Sequence, residues 1–298
     1  MKRFIFYGML LVVSLPVLSG MQEPPDFGKI KTFEEYSNIF EATPDLHQSN
    51  RSKSIISTCQ KELKDAGEQC VEVKDKTFPC NDKGVIISGD ISFCSSVVNE
   101  DLTISKTLKI KFYPSGRDKS NYNPKLKKMF YSAVNCMKAV YRKQGITLDI
   151  QFKEVWSYKE ADIRIVDRAK RSPNLHLIPM GSFREYYSHE LLCQIVTHEI
   201  SHHLGLPDRY QMSFGGKTCD QQTVYPQGTL MSSNPFRDSL ALKLHEDDVL
   251  DLFYESCPKT VNYFDNNPDI DSVENLDFLE EEPNLIDRIL EFISKLNS

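Results

Sequence analysis

The chain has 298 residues, with 36 Lys and Arg against 42 Asp and Glu, a formal charge of −6. That length holds one large or two modest domains with a full core, and the acidic balance argues against a nucleic-acid binder. The cysteines number eight, an even count behind an export-like N-terminus, so disulfides are the expected state; none sits in the Cys-x-x-Cys spacing of a zinc ribbon.

Met1-Lys2-Arg3 is a positive n-region, and Phe4 to Leu18 is an apolar run shorter than the roughly 20 residues that span a bilayer. The pattern predicts a signal peptide over residues 1–20, cleaved after Ser19 or Gly20. Met21 stands where a lipidated cysteine would, so export without an anchor is expected: a secreted or periplasmic protein. Residues 21–101 form a Cys-containing N-terminal segment. It is weakly patterned as far as Asn50, apart from a short helix at Phe33 to Phe40, and Asn50-Arg51-Ser52 has the form of a glycosylation sequon. Cys59, Cys70, Cys80 and Cys94 follow, among strand-like runs such as Val85-Ile86-Ile87 and turn signals at Gly84 and Gly89-Asp90. The segment reads either as a pro-segment or as a small disulfide-stapled module.

Residues 102–258 carry the pattern of the main domain. Leu108 to Tyr113 alternates apolar and polar as a half-buried strand does. Asn123-Pro124 opens a helix, Asn at the N-cap and Pro at the first helical position. It is expected to run to Gly145, with Leu126, Met129, Phe130, Ala133, Met137, Val140 and Tyr141 on one stripe. Strands are expected at 146–152, 161–166 and 175–179, then a helix from about Tyr187 or Ser188 to Leu204. A loop-rich stretch leads through Cys219 to the turn Gly228-Thr229-Leu230-Met231-Ser232, and a last helix spans Leu244 to Tyr254. Residues 259–298 are set apart by charge. From Pro258 onwards there are ten acidic residues against three basic ones, so Asn262 to Glu282 reads as an acidic linker. Pro283 then opens an amphipathic helix with Leu285, Ile289, Phe292, Ile293 and Leu296 on one face.

The chemistry concentrates in Thr197-His198-Glu199-Ile200-Ser201-His202-His203-Leu204-Gly205-Leu206-Pro207-Asp208. Residues four apart on an α-helix lie about 40° apart around the axis, so His198 and His202 project from one face and can fill two corners of a Zn²⁺ tetrahedron. Glu199, about 100° round from His198, is placed to take a proton from water rather than to ligate. Gly205 is the helix stop, and the turn through Leu206-Pro207 can return Asp208 as a third ligand. Three protein ligands leave a fourth position for water, the arrangement of a catalytic zinc site. His203 lies about 100° from His202 and reads as packed or solvated.

This stretch resembles the extended motif of the metzincin zinc metalloproteases, with Asp208 in place of the commoner third His, as in the snapalysin-like branch. The resemblance covers about Leu102 to Cys257. It implies an α+β fold: a twisted, mostly parallel sheet, a backing helix, the active-site helix, and a C-terminal helix after a Met-turn at Met231. It also implies one catalytic Zn²⁺ on His198, His202 and Asp208, Glu199 as general base, and a protein or peptide substrate. Under it, a pro-segment cysteine such as Cys80, in Phe78-Pro79-Cys80-Asn81, would cap the metal. No tyrosine follows Met231 closely enough to serve as the Tyr switch of some metzincins. Two other readings stand beside it: an exported zinc-containing binding or adhesion module without turnover, and a gluzincin-type protease with a downstream ligand such as Glu246. For the disulfides, Cys136 and Cys193 are placed to join two helices, and Cys219 with Cys257 would staple the lower half.

Overall fold

A computed structural model describes residues 31–43, 48–81, 84–113, 124–157, 159–166, 177–179, 189–210, 213–214, 217–219, 224, 228–232 and 242–271. The expected signal peptide, most of the acidic linker and the C-terminal amphipathic helix lie outside these residues.

The architecture is α+β. A mixed sheet is built on β3 (Asp101–Tyr113), whose inward residues Leu102, Ile104, Leu108 and Ile110 are all buried. On one edge, β4 (Ile146–Glu154) runs parallel to β3 from Leu102 to Ile110. The other edge is shared. β2 (Gly84–Val98) pairs antiparallel with residues 101–105, and β5 (Ile163–Val166) takes over in parallel at residues 110–113. β6 (Leu177–Pro179) extends β5 in parallel, and β1 (Gln69–Asn81) closes the far side as an antiparallel hairpin with β2. The segment 21–101 therefore contributes strands to the same sheet as residues 102–258, and its Tyr36, Phe40, Ile55, Cys59 and Leu63 join the one hydrophobic core.

Two helices cover the inner face. α3 (Pro124–Lys143) follows its expected span, with Leu126, Phe130, Ala133, Met137 and Val140 buried, and ends at Gly145 with φ +76°. α4 (His189–His203) crosses it. The two are joined by the disulfide Cys136–Cys193 and by Tyr141 Oη, 2.7 Å from Ser201 Oγ. Since Ser201 Oγ donates to Thr197 O, the tyrosine is the donor of that pair.

One expectation about the N-terminal segment holds and several others are corrected. α1 (Phe33–Glu41) is the short helix read from the sequence, with a complete capping box at Thr32 and Glu35. The sequon region opens a helix that was not expected, α2 (Asn50–Ala66), in which Arg51 and Ser52 are buried. Gly89-Asp90 lies within β2 instead of turning the chain. α5 (Glu246–Phe253) is the expected last helix of the main domain, but α6 (Pro258–Asn266) follows it where the acidic linker was to begin. Ordering there comes from α2. Glu62 accepts hydrogen bonds from the Lys259 and Thr260 backbone N–H groups at the start of α6. Arg51 donates to the carbonyls of Phe264, Asn267, Pro268 and Ile270 at its end. An anion at the helix N-terminus and a cation at its C-terminus both complement the helix dipole. Cys257 pairs with Cys59, not Cys219, because α6 brings it against α2. Cys70–Cys94 ties β1 to β2, and Cys219 is also disulfide-bonded.

Candidate metal centre

The end of α4 builds the site. Gly205, at φ +97°, is the left-handed residue that terminates the helix. Its N–H bonds to His202 O at 3.0 Å, and Leu206 N–H bonds to Ser201 O at 3.2 Å, the paired bonds of a Schellman stop. The remaining carbonyl of the last residue, His203 O, accepts from Lys106 Nζ at 2.8 Å. With its carbonyls tied, the helix releases the chain at a fixed angle into Leu206-Pro207-Asp208.

That angle returns Asp208 to the two histidines. Asp208 Oδ1 lies 2.9 Å from His198 Nε2 and 3.6 Å from His202 Nε2, and the imidazole rings stand edge to face at 4.7 Å. All three side chains are buried. Each ring's other nitrogen is committed: His198 Nδ1 is 3.0 Å from Leu230 O, and His202 Nδ1 is 2.7 Å from Leu206 O. A carbonyl only accepts, so both Nδ1 atoms carry hydrogen and both Nε2 lone pairs face the carboxylate. Three acceptor atoms thus converge within 4.8 Å, an arrangement that could hold a metal ion. Bonds of about 2.0–2.2 Å to a tetrahedral ion put neighbouring ligand atoms about 3.3 Å apart, between the two distances observed. The donor set fits a metal, and carbonyl partners on the far ring nitrogens are the usual way of fixing such ligands. Burial alone would push the His198 pKa down. The hydrogen bond and charge of Asp208, the charge of Glu199 and the Leu230 carbonyl outweigh it, and the net shift is upward. A proton is drawn to the place a metal ion would take.

The turn over residues 228–232 supplies the floor. Gly228 has φ +121°, Thr229 and Ser232 bond to each other, and Leu230 and Met231 are fully buried. Met231 O accepts from Arg209 N–H at 2.8 Å, which locks the residue after the third ligand onto this turn. The Arg209 guanidinium forms ion pairs with Asp248 and Asp251 of α5. Tyr210 stacks on His198 with ring centroids 6.1 Å apart.

Of the residues singled out in the sequence, His198, His202 and Asp208 come together. Glu199 stands on the same helix, half-buried, with its charge felt at His198. His203 is buried, and its carbonyl accepts from Lys106 Nζ. Glu246 accepts from Ser49 Oγ at the start of α2, outside the triad. A second acidic and cysteine cluster, Glu68 with Cys70 and Cys94, is no metal site, since its sulfurs form a disulfide. Sequence reasoning missed Lys106, Arg209, Asp248 and Asp251. Lys106 did leave a signal, as the one charge in the inward series Leu102, Ile104, Lys106, Leu108, Ile110.

No family model matches the chain, and comparison with curated proteins and with solved structures returns no match. The chain is an α+β protein with disulfides of the kind formed in an oxidising environment and a buried His-His-Asp group able to hold a metal ion. Among the described residues no helix is long and apolar enough to cross a membrane.

Proposed function

We propose that the chain is a secreted zinc endopeptidase of the metzincin type. The observation that carries the reading is the convergence of His198 Nε2, His202 Nε2 and Asp208 Oδ1, with both Nδ1 atoms held by carbonyls and Glu199 one residue from the first ligand. The parallel strands β4-β3-β5-β6, with α3 and α4 against them and a methionine turn before α5, agree with the fold that the resemblance implies.

Zinc on these three residues would supply Lewis acidity at a scissile carbonyl and at the water beside it. Every other task falls to the chain. The Leu230 and Leu206 carbonyls hold the imidazoles in the tautomer that presents Nε2. Asp208 brings a negative charge that a third His would not, so it tempers the acidity the metal confers. The Glu199 carboxylate, unlike the triad, keeps access to solvent; it takes the proton of the attacking water and delivers it to the leaving amine nitrogen. The substrate is then a protein or peptide.

The test is zinc stoichiometry together with cleavage of a casein-type substrate, with and without chelator. One zinc per chain and chelator-sensitive cleavage are expected. Glu199→Ala should keep the zinc and lose on the order of 10²-fold or more of the activity. A zinc-loaded wild type that cleaves nothing would favour a binding module over an enzyme, and full activity in zinc-loaded Glu199→Ala would remove the glutamate from the mechanism.

A further inference from the structure

The disulfides differ in how far they are shut away from solvent. Cys59, Cys257, Cys136 and Cys193 all have zero exposure, and Cys219 is buried as well. Cys70–Cys94 is open: Cys70 is exposed and Cys94 half-buried. Strand register explains the contrast. Cys70 stands opposite Cys94, Cys94 opposite Ser105, and Ser105 opposite Asp149, one row across β1, β2, β3 and β4. Their sequence neighbours Val71, Phe93, Ile104, Leu148 and Ile150 are buried on the inner face, so the row lies on the outer one.

A groove adjoins the bond. Pairing of β2 with β3 ends at Cys94 and Ser105, and a groove of about 470 Å³ lies alongside. The two cysteines form part of its wall, and Ser92, Ser105, Thr107 and Gln151 give it hydrogen-bonding groups. A disulfide so placed is open to a thiolate, whose attack needs access to a sulfur. The charge beside the bond is that of Glu68, with its carboxylate within 4.8 Å of both sulfurs. Glu68 enters no ion pair among the described residues. Glu72, also on the groove, has Lys74 at 3.9 Å to offset it.

We propose that Cys70–Cys94 is a thiol-exchange site, and that the groove seats the peptide segment bearing the attacking cysteine, one with basic rather than acidic neighbours. The partner's thiolate attacks Cys70 Sγ, the more exposed sulfur. A new S–S bond joins the partner to Cys70. The Cys94 sulfur leaves with the electron pair of the old bond and takes a proton from water, so no external oxidant or reductant is needed. Glu68 acts twice. Its charge attracts basic neighbours of the incoming cysteine and repels acidic ones. It also disfavours a second anion beside it, which keeps the released Cys94 thiol protonated. Only a thiolate attacks, so reclosure is slowed and the mixed disulfide persists. The proposal does not depend on the peptidase reading.

The experiment uses the folded full chain and three peptides, Lys-Cys-Lys, Ser-Cys-Ser and Glu-Cys-Glu, compared at equal thiolate concentration and low salt. Acid quenching and peptide mapping should find peptide on Cys70, a free thiol at Cys94, and Cys59–Cys257 and Cys136–Cys193 intact. The basic peptide should react about five- to tenfold faster than the acidic one, the size of effect that charges about 7 Å apart exert in water. Salt at about 1 M, which shortens electrostatic reach to about 3 Å, should bring the rates together, and so should Glu68→Gln at low salt. No uptake until the protein unfolds would overturn the exchange site, as would attachment that begins at a sealed bridge. An acidic peptide as fast as the basic one, or a preference that survives Glu68→Gln, would overturn the role of Glu68.

Discussion

The corner that gathers His198, His202 and Asp208 and the corner that joins α2 to α6 are both buried and both built on helix ends. They differ in how far apart in the chain their partners lie. The metal corner closes between residues 198 and 208, with help from Leu230 and Lys106. The other corner links residues about two hundred positions apart: Cys59 to Cys257, Glu62 to Thr260 and Arg51 to Ile270. One is a local device resting on helix geometry and a glycine stop. The other ties the first described helices to the last. The difference separates function from stability: loss of the first corner should cost metal binding, and loss of the second should cost stability.

The sharpest way to break the metal corner is Asp208→Ala. It removes the only anionic acceptor of the triad, so zinc affinity should fall by more than about 10²-fold, beyond what loss of an outer partner costs, with the melting transition of the metal-free protein largely kept. His203→Ala is the control, because its side chain is not among the converging atoms; zinc titration should leave its affinity unchanged. Loss of metal in His203→Ala with retention in Asp208→Ala would reverse the ligand assignment.

Breaking the other corner should act on stability alone. Cys59→Ala with Cys257→Ala opens a loop of sequence separation 198 and should cost about 2–5 kcal/mol of unfolding free energy. Zinc stoichiometry of the fraction that stays folded should be unaltered. Denaturant unfolding measures the first and metal analysis the second. A pair of variants with unchanged stability but lost zinc would show that α2 and α6 hold the metal corner after all.

The same contrast explains what the sequence disclosed. Helix period places His198 and His202 together, Gly205 marks the stop, and the α3 stripe and the β3 alternation follow from periods of 3.6 and 2. These signals are local, and the structure keeps all of them. Two local readings fail, since Gly89-Asp90 runs inside β2 and α2 was not expected; the other misreadings fall on long-range partnerships. α6 looked like acidic linker because Arg51 and Glu62, which order its two ends, lie far back in the chain. Cys257 was matched with Cys219 because nothing short of the fold shows that Cys59 is nearer. At the site itself, the ligands were legible and their supports were not: Arg209 is an ordinary residue until α5 brings Asp248 and Asp251 to it.

Lys106 ties the sheet to the metal corner and gives the smallest and most discriminating effect. It is a lone charge on the inward face of β3, where its Nζ donates to Ser92 O at 2.6 Å and His203 O at 2.8 Å. The first bond holds β2 where it leaves β3, and the second closes the last carbonyl of the metal-binding helix. Burial pushes its pKa down to about 8, against the opposing pull of Asp162. The sign of the linkage follows. Below about pH 8 folded and unfolded chains both hold the proton, and the burial penalty on the charge is complete. Between about 8 and the ordinary lysine value near 10.4 the unfolded chain binds more protons than the folded one, so stability from this group rises with pH. A neutral amine still has two hydrogens, enough for both carbonyls. Lys106→Met keeps the apolar stem but leaves Ser92 O and His203 O unpaired, at a cost of about 1–3 kcal/mol offset in part by the lost charge burial. Urea unfolding at pH 7, 8.5 and 10 should show wild type gaining stability across that range relative to Lys106→Met. Parallel pH profiles for the two proteins would assign the titration elsewhere and leave Lys106 as a plain hydrogen-bond donor.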